Sequence, residues 1–193
     1  MSLALPPLTL VVGAANSGKS AYAERLAEAT GRPMTYIATA QAFDDEMRAK
    51  IAAHRARRGD GWTTVEAPLD LASALDDAQS DHVMLVDCMT LWLSNHLLSE
   101  TAIEAEQARV LKALASCAAP VVVVSNEVGA GVVPENALAR RFRAAQGGLN
   151  QAVAARADLV VTVIAGLPLA HDAEFTAGVP GDDKAVHDQR RCG

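Results

Sequence analysis

Aromatic residues, cysteine and basic charge are all scarce in this sequence. The three cysteines, Cys88, Cys117 and Cys192, are odd in number, lie far apart and form no C-x-x-C pair, which argues against a disulfide framework and against a zinc site. The formal net charge is −6, so the chain lacks the basic face that binding to nucleic acid requires. It also lacks any run of about 18 apolar residues, and no transmembrane helix is predicted.

Aliphatic residues supply the hydrophobicity that aromatic residues do not. Half of the residues are apolar but only 4% are aromatic, so the predicted core consists of Val, Leu, Ile and Ala. A chain of 193 residues is long enough for one α/β domain with a full core. The N-terminal segment has no basic stretch and contains Pro6 and Pro7, so no signal peptide is expected. We expect a cytoplasmic protein with reduced thiols.

One segment carries a specific chemical signature. Residues Gly13 to Ser20 match G-x-x-x-x-G-K-S/T, follow an apolar run at 8–12 and precede an Ala-rich helical pattern. Between a strand and a helix, this motif forms a phosphate-binding loop, the P-loop. Its backbone N–H groups and the helix N-terminus attract phosphate oxygens. Lys19 would reach the outer phosphates and the Ser20 hydroxyl would bind Mg²⁺, which predicts a site for a nucleoside triphosphate with magnesium.

Apolar runs alternate with helical patterns along the chain, which indicates crossover units and a mainly parallel sheet. We predict an α/β fold, a P-loop NTPase of RecA-like type with three αβα layers. The predicted strands are 8–12, 34–38, 63–66, 82–86, 121–125 and 159–164. The predicted helices are 19–30, 44–57, 69–77, 91–98, 103–117 and 137–157, the last with a kink or a close approach at Gly147 and Gly148. Residues 1–169 form a single domain in this interpretation, and residues 170–193 form a flexible tail.

The apolar run at 82–86 leads directly to Asp87. A carboxylate at the end of a buried strand in a P-loop protein can hold Mg²⁺, directly or through water. The alternative is that Asp87 caps the helix that follows, since Asp is favoured at such positions. Because a P-loop is present, we prefer the metal role.

The segment from Asp44 to Arg58 combines a histidine with a cluster of arginines. His54 is followed by Arg55, Arg57 and Arg58 near the end of a predicted helix. Arginine suits phosphate oxygens by its charge and its fork geometry, so His54 becomes a candidate nucleophile toward the bound nucleotide. The alternative is an ordinary solvated or packed histidine on a helix surface.

Two further strand ends carry polar side chains. Glu66 ends the strand at 63–66, and Asn126 and Glu127 follow the strand at 121–125 before a Gly-rich loop. Ligands of α/β sheets bind beyond the carboxyl ends of the strands, which makes these residues candidate contacts for nucleotide, metal or substrate. An exposed loop carboxylate at Glu66 and turn chemistry at Asn126 and Glu127 are the alternatives.

Taken in order, these motifs resemble one family, the bifunctional adenosylcobinamide kinase/adenosylcobinamide-phosphate guanylyltransferases of cobalamin assembly. The resemblance covers about residues 8–169. The matching segments are 13–20, 36–40, 44–47, 54–58, 62–66, 86–95 and 126–136. Asn16 departs from the family pattern, because the family usually has arginine at that place in the P-loop.

The resemblance implies a homotrimer of P-loop domains that runs two reactions, and the apolar helix at 103–117 would supply its interface. In the first reaction, ATP or GTP phosphorylates the aminopropanol hydroxyl of adenosylcobinamide. In the second, a histidine attacks the α-phosphate of GTP, releases pyrophosphate and becomes guanylylated. The GMP then passes to adenosylcobinamide phosphate and gives adenosylcobinamide-GDP.

The resemblance also implies roles for single residues. The guanylylated histidine corresponds to His54, Lys19 is the second catalytic residue, and Ser20 and Asp87 are the Mg²⁺ ligands. The implied nucleotide-binding residues are Gly13, Ala14, Ala15, Asn16, Ser17, Gly18, Lys19, Ser20, Ala38, Thr39, Ala40, Arg55, Ala56, Arg57, Arg58, Glu66 and Asp87.

Other functions fit parts of the pattern. A single-function P-loop small-molecule kinase would use Lys19, Ser20 and Asp87 and would leave His54 on a helix surface. A family member that has lost the kinase step through Asn16 is a second alternative. A RecA-like ATPase or switch module would act through partners, although the acidic charge disfavours nucleic acid as that partner.

Overall fold

One seven-stranded sheet organises the molecule. The structure, a computed structural model, describes residues 3–41, 45, 48–49, 52, 56, 58–59, 61–99 and 101–172. In chain order the strands are β1 (Leu8–Gly13), β2 (Met34–Ala38), β3 (Trp62–Glu66), β4 (Val83–Asp87), β5 (Val121–Asn126), β6 (Leu159–Ile164) and β7 (Leu167–Asp172). Their order across the sheet is β3-β2-β4-β5-β1-β6-β7, and every neighbouring pair is parallel except β6 and β7.

Helices connect the parallel strands. They are α1 (Lys19–Glu28), α2 (Leu71–Asp76), α3 (Met89–Leu98), α4 (Ile103–Ser116) and α5 (Ala137–Ala154). The described residues of the predicted helix at 44–57, which are Asp45, Arg48, Ala49, Ala52 and Ala56, are helical. The other residues of that segment lie outside the described residues.

The sheet has an apolar layer on each face, as a mainly parallel sheet requires. In β4, Met84 and Val86 belong to a large cluster that includes residues of α2, α3, α4 and α5. Leu85 points the other way and joins a smaller cluster with Ala23 of α1. Successive residues of a strand face opposite sides, so one aliphatic run supplies both cores. The predicted three-layer α/β architecture is confirmed.

The long helix α5 begins with a side-chain cap. The Asn136 side chain accepts hydrogen bonds from the N–H groups of Leu138 and Ala139 at 2.8 and 3.2 Å, which satisfies two donors of the first turn. The helix then runs without a break through Gly147 and Gly148, and a Cβ at either glycine would meet no atom from elsewhere in the described part of the chain within 4 Å. The predicted close approach therefore does not explain these two glycines.

Strand β7 is absent from the sequence-based prediction. It brings residues 170–172 into the sheet by antiparallel pairing with β6, so the predicted tail at 170–193 is wrong for these three residues. Ala165 and Gly166, both at positive φ (52° and 79°), connect the two strands. Such two-residue turns are usually marked by Asn-Gly or Asp-Gly, and Ala-Gly lacks that mark. The remaining tail, 173–193, with Cys192, lies outside the described residues.

The described cysteines are free thiols, Cys88 buried and Cys117 half-buried. Within the described part of the chain, no helix is long and apolar enough to cross a membrane.

Candidate nucleotide site

Strand register brings the polar strand ends to one edge of the sheet. Ala38 of β2 pairs with Glu66 of β3 on one side and with Asp87 of β4 on the other. Gly13 of β1 pairs with Asn126 of β5. Since all five strands are parallel, their carboxyl ends form one continuous edge that carries the P-loop. Glu66 is exposed there.

Backbone geometry explains the glycines of the P-loop. A Cβ on Gly13 would come within 2.6 Å of the carbonyl oxygen of Val163 and would also overlap the Ser17 hydroxyl. Gly18 caps α1 with φ 91°, and Asn16 has φ 57°. The turn between β6 and β7 supports the loop from outside, because the N–H of Gly166 donates to the Ser17 carbonyl at 2.8 Å.

Lys19 curls back over the P-loop from the first turn of α1. The side chain is buried, and its Nζ donates to the carbonyl of Ala14 at 3.1 Å. Burial lowers the pKa of Lys19, while nearby Cys88 and Asp87 act in the opposite direction. The pKa of the Cys88 thiol is itself raised to about 12 by burial, so at neutral pH the charge that matters to Lys19 is that of Asp87. Ser20 lies half-buried next to Lys19.

Asp87 occupies the last position of β4 and is 9% exposed. Its Oδ2 accepts a hydrogen bond from the Tyr36 hydroxyl at 3.1 Å. Helix α3 takes Cys88 as its N-cap residue, with no side-chain capping bond. Asp87 therefore does not cap the following helix.

Thr39 holds the connection between β4 and α3. Its hydroxyl donates to the Cys88 carbonyl and accepts from the Cys88 N–H, both at 2.7 Å, and its side chain is fully buried. The Thr39 carbonyl accepts from the Asn95 amide at 2.8 Å. Because these bonds occupy the hydroxyl, contacts from the 38–40 segment to a ligand would come from the backbone or from the half-buried Ala38 and Ala40.

Arg58 stacks on an aromatic ring beside this edge. Its guanidinium carbon lies 3.2 Å from the centroid of the Tyr36 ring, and Trp62 meets the same ring edge-on at 6.2 Å. The Arg58 NH1 atom is buried and has no hydrogen-bond partner among the described residues. Ala56 is exposed. The predicted site residues His54, Arg55 and Arg57 lie outside the described residues.

Asn126 and Glu127 follow β5 beside the P-loop. The Asn126 N–H donates to the Thr90 hydroxyl at 2.8 Å, whereas its buried Oδ1 has no partner in the described part of the chain. Glu127 donates its N–H to the Gly13 carbonyl at 3.1 Å, and its carboxylate accepts from the N–H of Gly129. Turn chemistry therefore accounts for the carboxylate of Glu127.

Sequence reasoning missed a buried polar network behind Asn126. Gln146 donates to the Ser125 hydroxyl and to Asn150 Oδ1, each at 2.9 Å. Ser125 donates to the same Asn150 oxygen at 2.6 Å, and the Asn150 amide donates to the Asn126 carbonyl at 3.0 Å. The available signal was the spacing of Gln146 and Asn150, four residues apart on the inner face of α5.

A metal bound here would depend on few protein ligands. Among the described residues, no group of three or more His, Cys, Asp and Glu side chains could hold a metal ion. Mg²⁺ in nucleotide sites takes one or two protein ligands and completes its shell with phosphate oxygens and water. A hydroxyl at Ser20, which follows Lys19 in the chain, and a carboxylate at Asp87, whose charge acts on Lys19, fit that kind of ligand set.

Solved structures agree with this fold. The structure of the RadB recombinase aligns with a TM-score of 0.50 at 18% identity, over 82% of this chain and 74% of that one. At this level of identity the likeness concerns the fold alone.

Two proteins related in sequence are much more similar to this chain than the solved structure is. The bifunctional adenosylcobalamin biosynthesis protein CobP of Pseudomonas aeruginosa is 47% identical over 163 residues, which span 83% of this chain and 94% of that protein. The bifunctional adenosylcobalamin biosynthesis protein CobU of Escherichia coli is 40% identical over 176 residues, which span 83% of this chain and 97% of that protein. The family model described as cobinamide kinase / cobinamide phosphate guanyltransferase matches residues 9–171. The resemblance predicted from the motifs is confirmed, and the chain belongs to the cobinamide kinase / cobinamide phosphate guanyltransferase family.

Proposed function

We propose that this chain performs both reactions of its family at the carboxyl edge of its sheet. It phosphorylates adenosylcobinamide with a nucleoside triphosphate, then transfers GMP from GTP to the product through a guanylylated His54. The observation that carries the proposal is the convergence of the P-loop Lys19, Asp87 and the Tyr36–Arg58 stack at one edge, in a chain whose family match spans residues 9–171.

The kinase step needs the P-loop and a bound hydroxyl. The hydroxyl oxygen of adenosylcobinamide attacks the γ-phosphorus of ATP or GTP, the bond to the β-phosphate oxygen breaks, and the hydroxyl proton leaves. Loop N–H groups and the N-terminus of α1 hold the phosphates, and the Lys19 ammonium offsets charge on the outer ones. The burial of Lys19 supports this role, because a charge in a poorly hydrated place interacts more strongly with phosphate.

The guanylyltransferase step needs His54 at a different phosphate. The imidazole nitrogen attacks the α-phosphorus of GTP, and pyrophosphate leaves. A phosphate oxygen of adenosylcobinamide phosphate then attacks the same phosphorus and the histidine leaves, so that one difficult transfer becomes two easier ones. The Arg58 NH1 atom, which has no hydrogen-bond partner in the described part of the chain, would donate to a phosphate oxygen, and Arg55 and Arg57 would contribute in the same way.

We assign the magnesium site to Ser20 and Asp87. When bound, Mg²⁺ would neutralise charge on the triphosphate oxygens. The Ser20 hydroxyl at the start of α1 and the Asp87 carboxylate at the end of β4 would hold it, directly or through water. Ala38, which pairs with Asp87, and Glu66, which pairs with Ala38 from the other side, would line the adjoining part of the nucleotide site.

We also propose the homotrimer that the family resemblance implies, with a changed interface. The apolar residues Val110 and Leu114 of α4 are buried in the chain's own core, so this helix does not offer them to a partner. The β6–β7 hairpin instead leaves Leu167 73% and Leu169 60% exposed. Light scattering should give about three times the 20.2 kDa chain mass. Leu167→Asp should lower that mass, while Leu98→Asp, at another exposed leucine, should not.

Transfer of label from GTP tests the proposal directly. The protein is incubated with GTP labelled in the α-phosphate, denatured and analysed for bound label. We expect a label that is labile in acid and stable in base, as a phosphoramidate is, and none on His54→Ala. His82→Gln is the matched control, because His82 precedes β4 at the opposite edge of the sheet and should label fully.

The same experiment separates the rival functions. Label on the wild type that remains on His54→Ala would contradict the assignment of the nucleophile. Phosphorylation of adenosylcobinamide without any covalent label would favour the single-function kinase. Triphosphate hydrolysis that ignores cobinamide would favour a partner-driven ATPase.

A further inference from the structure

Tyr36 connects two parts of the proposed site that lie far apart in sequence. It sits in β2, is 6% exposed, and belongs to the smaller apolar cluster with Ala23 and Leu85. Its hydroxyl leaves this cluster to donate to Asp87 Oδ2 at 3.1 Å. Packing in an apolar cluster does not require a hydroxyl. The hydrogen bond to Asp87 is therefore what distinguishes tyrosine from phenylalanine at this position.

The ring of Tyr36 makes a second contact. The Arg58 guanidinium carbon lies 3.2 Å from the ring centroid, within the range of a cation–π interaction. Trp62 fixes the ring from the side in an edge-on contact at 6.2 Å and 82°. One side chain therefore touches the carboxylate at the end of β4 and the arginine that follows the His54 segment.

The physical consequences of the two contacts differ. A hydrogen bond to one carboxylate oxygen fixes how the carboxylate is turned, and such outer partners tune metal affinity. In this bond the Tyr36 hydroxyl is the donor and the Asp87 carboxylate the acceptor. The ring face holds the guanidinium in place without taking up its N–H donors, which stay available to an anion.

We propose that Tyr36 is a positioning residue whose hydroxyl orients Asp87 for the metal and whose ring places Arg58 for the nucleotide phosphates. The inference rests on the proposed metal role of Asp87. It makes Tyr36 a shared support for both transfers, since the metal–triphosphate complex serves the kinase step and Arg58 serves the guanylyl step.

The hydroxyl is tested by Mn²⁺ binding, followed by electron paramagnetic resonance in the presence of a non-hydrolysable GTP analogue. Tyr36→Phe keeps the ring and should raise the Kd for Mn²⁺ about tenfold. Tyr22→Phe is the matched control, because Tyr22 is the other tyrosine of the chain and packs at the edge of the same cluster. It should change the Kd by less than about twofold.

Asp87→Asn separates a failure of this inference from a failure of the metal assignment. If Asp87→Asn weakens Mn²⁺ binding and Tyr36→Phe does not, the positioning role is wrong and the metal role stands. If Asp87→Asn also binds Mn²⁺ like the wild type, the metal assignment itself fails and this inference falls with it.

The ring is tested separately, by binding of GTP in EDTA. Tyr36→Phe should bind GTP like the wild type, whereas Tyr36→Leu should bind about fivefold more weakly, as should Arg58→Ala. Tyr36→Met replaces the leucine variant if that variant does not fold. Equal GTP binding by the phenylalanine and aliphatic variants would overturn the role of the ring.

Discussion

At the scale of single residues, backbone geometry explains positions that side-chain chemistry does not. Asn16 has φ 57° and is exposed. Asparagine adopts this left-handed conformation more readily than most residues. The arginine expected from the family pattern is thus replaced by a residue that suits the local backbone. The amino-acid sequence alone could not reveal this, because the dihedral angle follows from the folded loop.

The conformation of Asn16 can be tested by stability. Asn16→Val should lower the free energy of unfolding by about 1–2 kcal/mol, because a β-branched side chain is strained at positive φ. Asn16→Gly should cost clearly less, since glycine adopts that conformation freely. Urea denaturation measures both variants. Equal losses for valine and glycine would contradict the left-handed geometry.

The lowered pKa of Lys19 predicts how ATP binding depends on pH. Burial lowers its pKa and Asp87 opposes the shift, so the ammonium should lose its proton below the pH of about 10.4 that is usual for lysine. Binding of ATP in EDTA should therefore weaken as pH rises through this lowered pKa. Removing the negative charge in Asp87→Asn should move the loss to still lower pH. Lys19→Met should bind weakly without this pH dependence, and a wild-type profile identical to that of Lys19→Met would contradict it.

At the scale of elements, the β6–β7 hairpin is a structural support for the P-loop. The Gly166 N–H bonds to the Ser17 carbonyl at 2.8 Å, and the backbone of Gly166 lies 3.2 Å from the place where a Cβ on Gly18 would stand. Periodicity along the chain could not predict this contact, because it joins residues far apart in sequence.

A pair of glycine variants tests this support. Gly166 and Gly31 both have positive φ (79° and 66°), and among the described residues a Cβ on either would meet nothing within 4 Å. Gly166→Ala and Gly31→Ala should therefore each lose about 1–2 kcal/mol of stability from backbone strain. Only Gly166→Ala should also weaken ATP binding, measured by titration calorimetry. If Gly31→Ala weakens ATP binding equally, the effect is not specific to the hairpin.

At the scale of the whole molecule, the sequence predicted the parts that local pattern encodes. The α/β class, the P-loop context and the strand that leads to Asp87 are confirmed in β1, α1 and β4. Strand β7 was not predicted because its two-residue turn is Ala-Gly, which lacks the Asn-Gly or Asp-Gly signature of such hairpins. The Tyr36–Asp87 bond and the bonds from Gln146 and Asn150 to Ser125 were not predicted, because each joins residues of different elements that only the folded chain brings together.

We propose that one nucleotide site, the shared site, serves both phosphoryl transfer and guanylyl transfer. Measuring both half-reactions on the same variants tests this most directly, with label in the γ-phosphate for phosphorylation and in the α-phosphate for guanylyl transfer. Lys19→Ala should lose both activities, whereas His54→Ala should lose guanylyl transfer and keep phosphorylation of adenosylcobinamide. Full guanylyl transfer by His54→Ala, or loss of only one activity in Lys19→Ala, would contradict the proposal that one shared site serves both reactions.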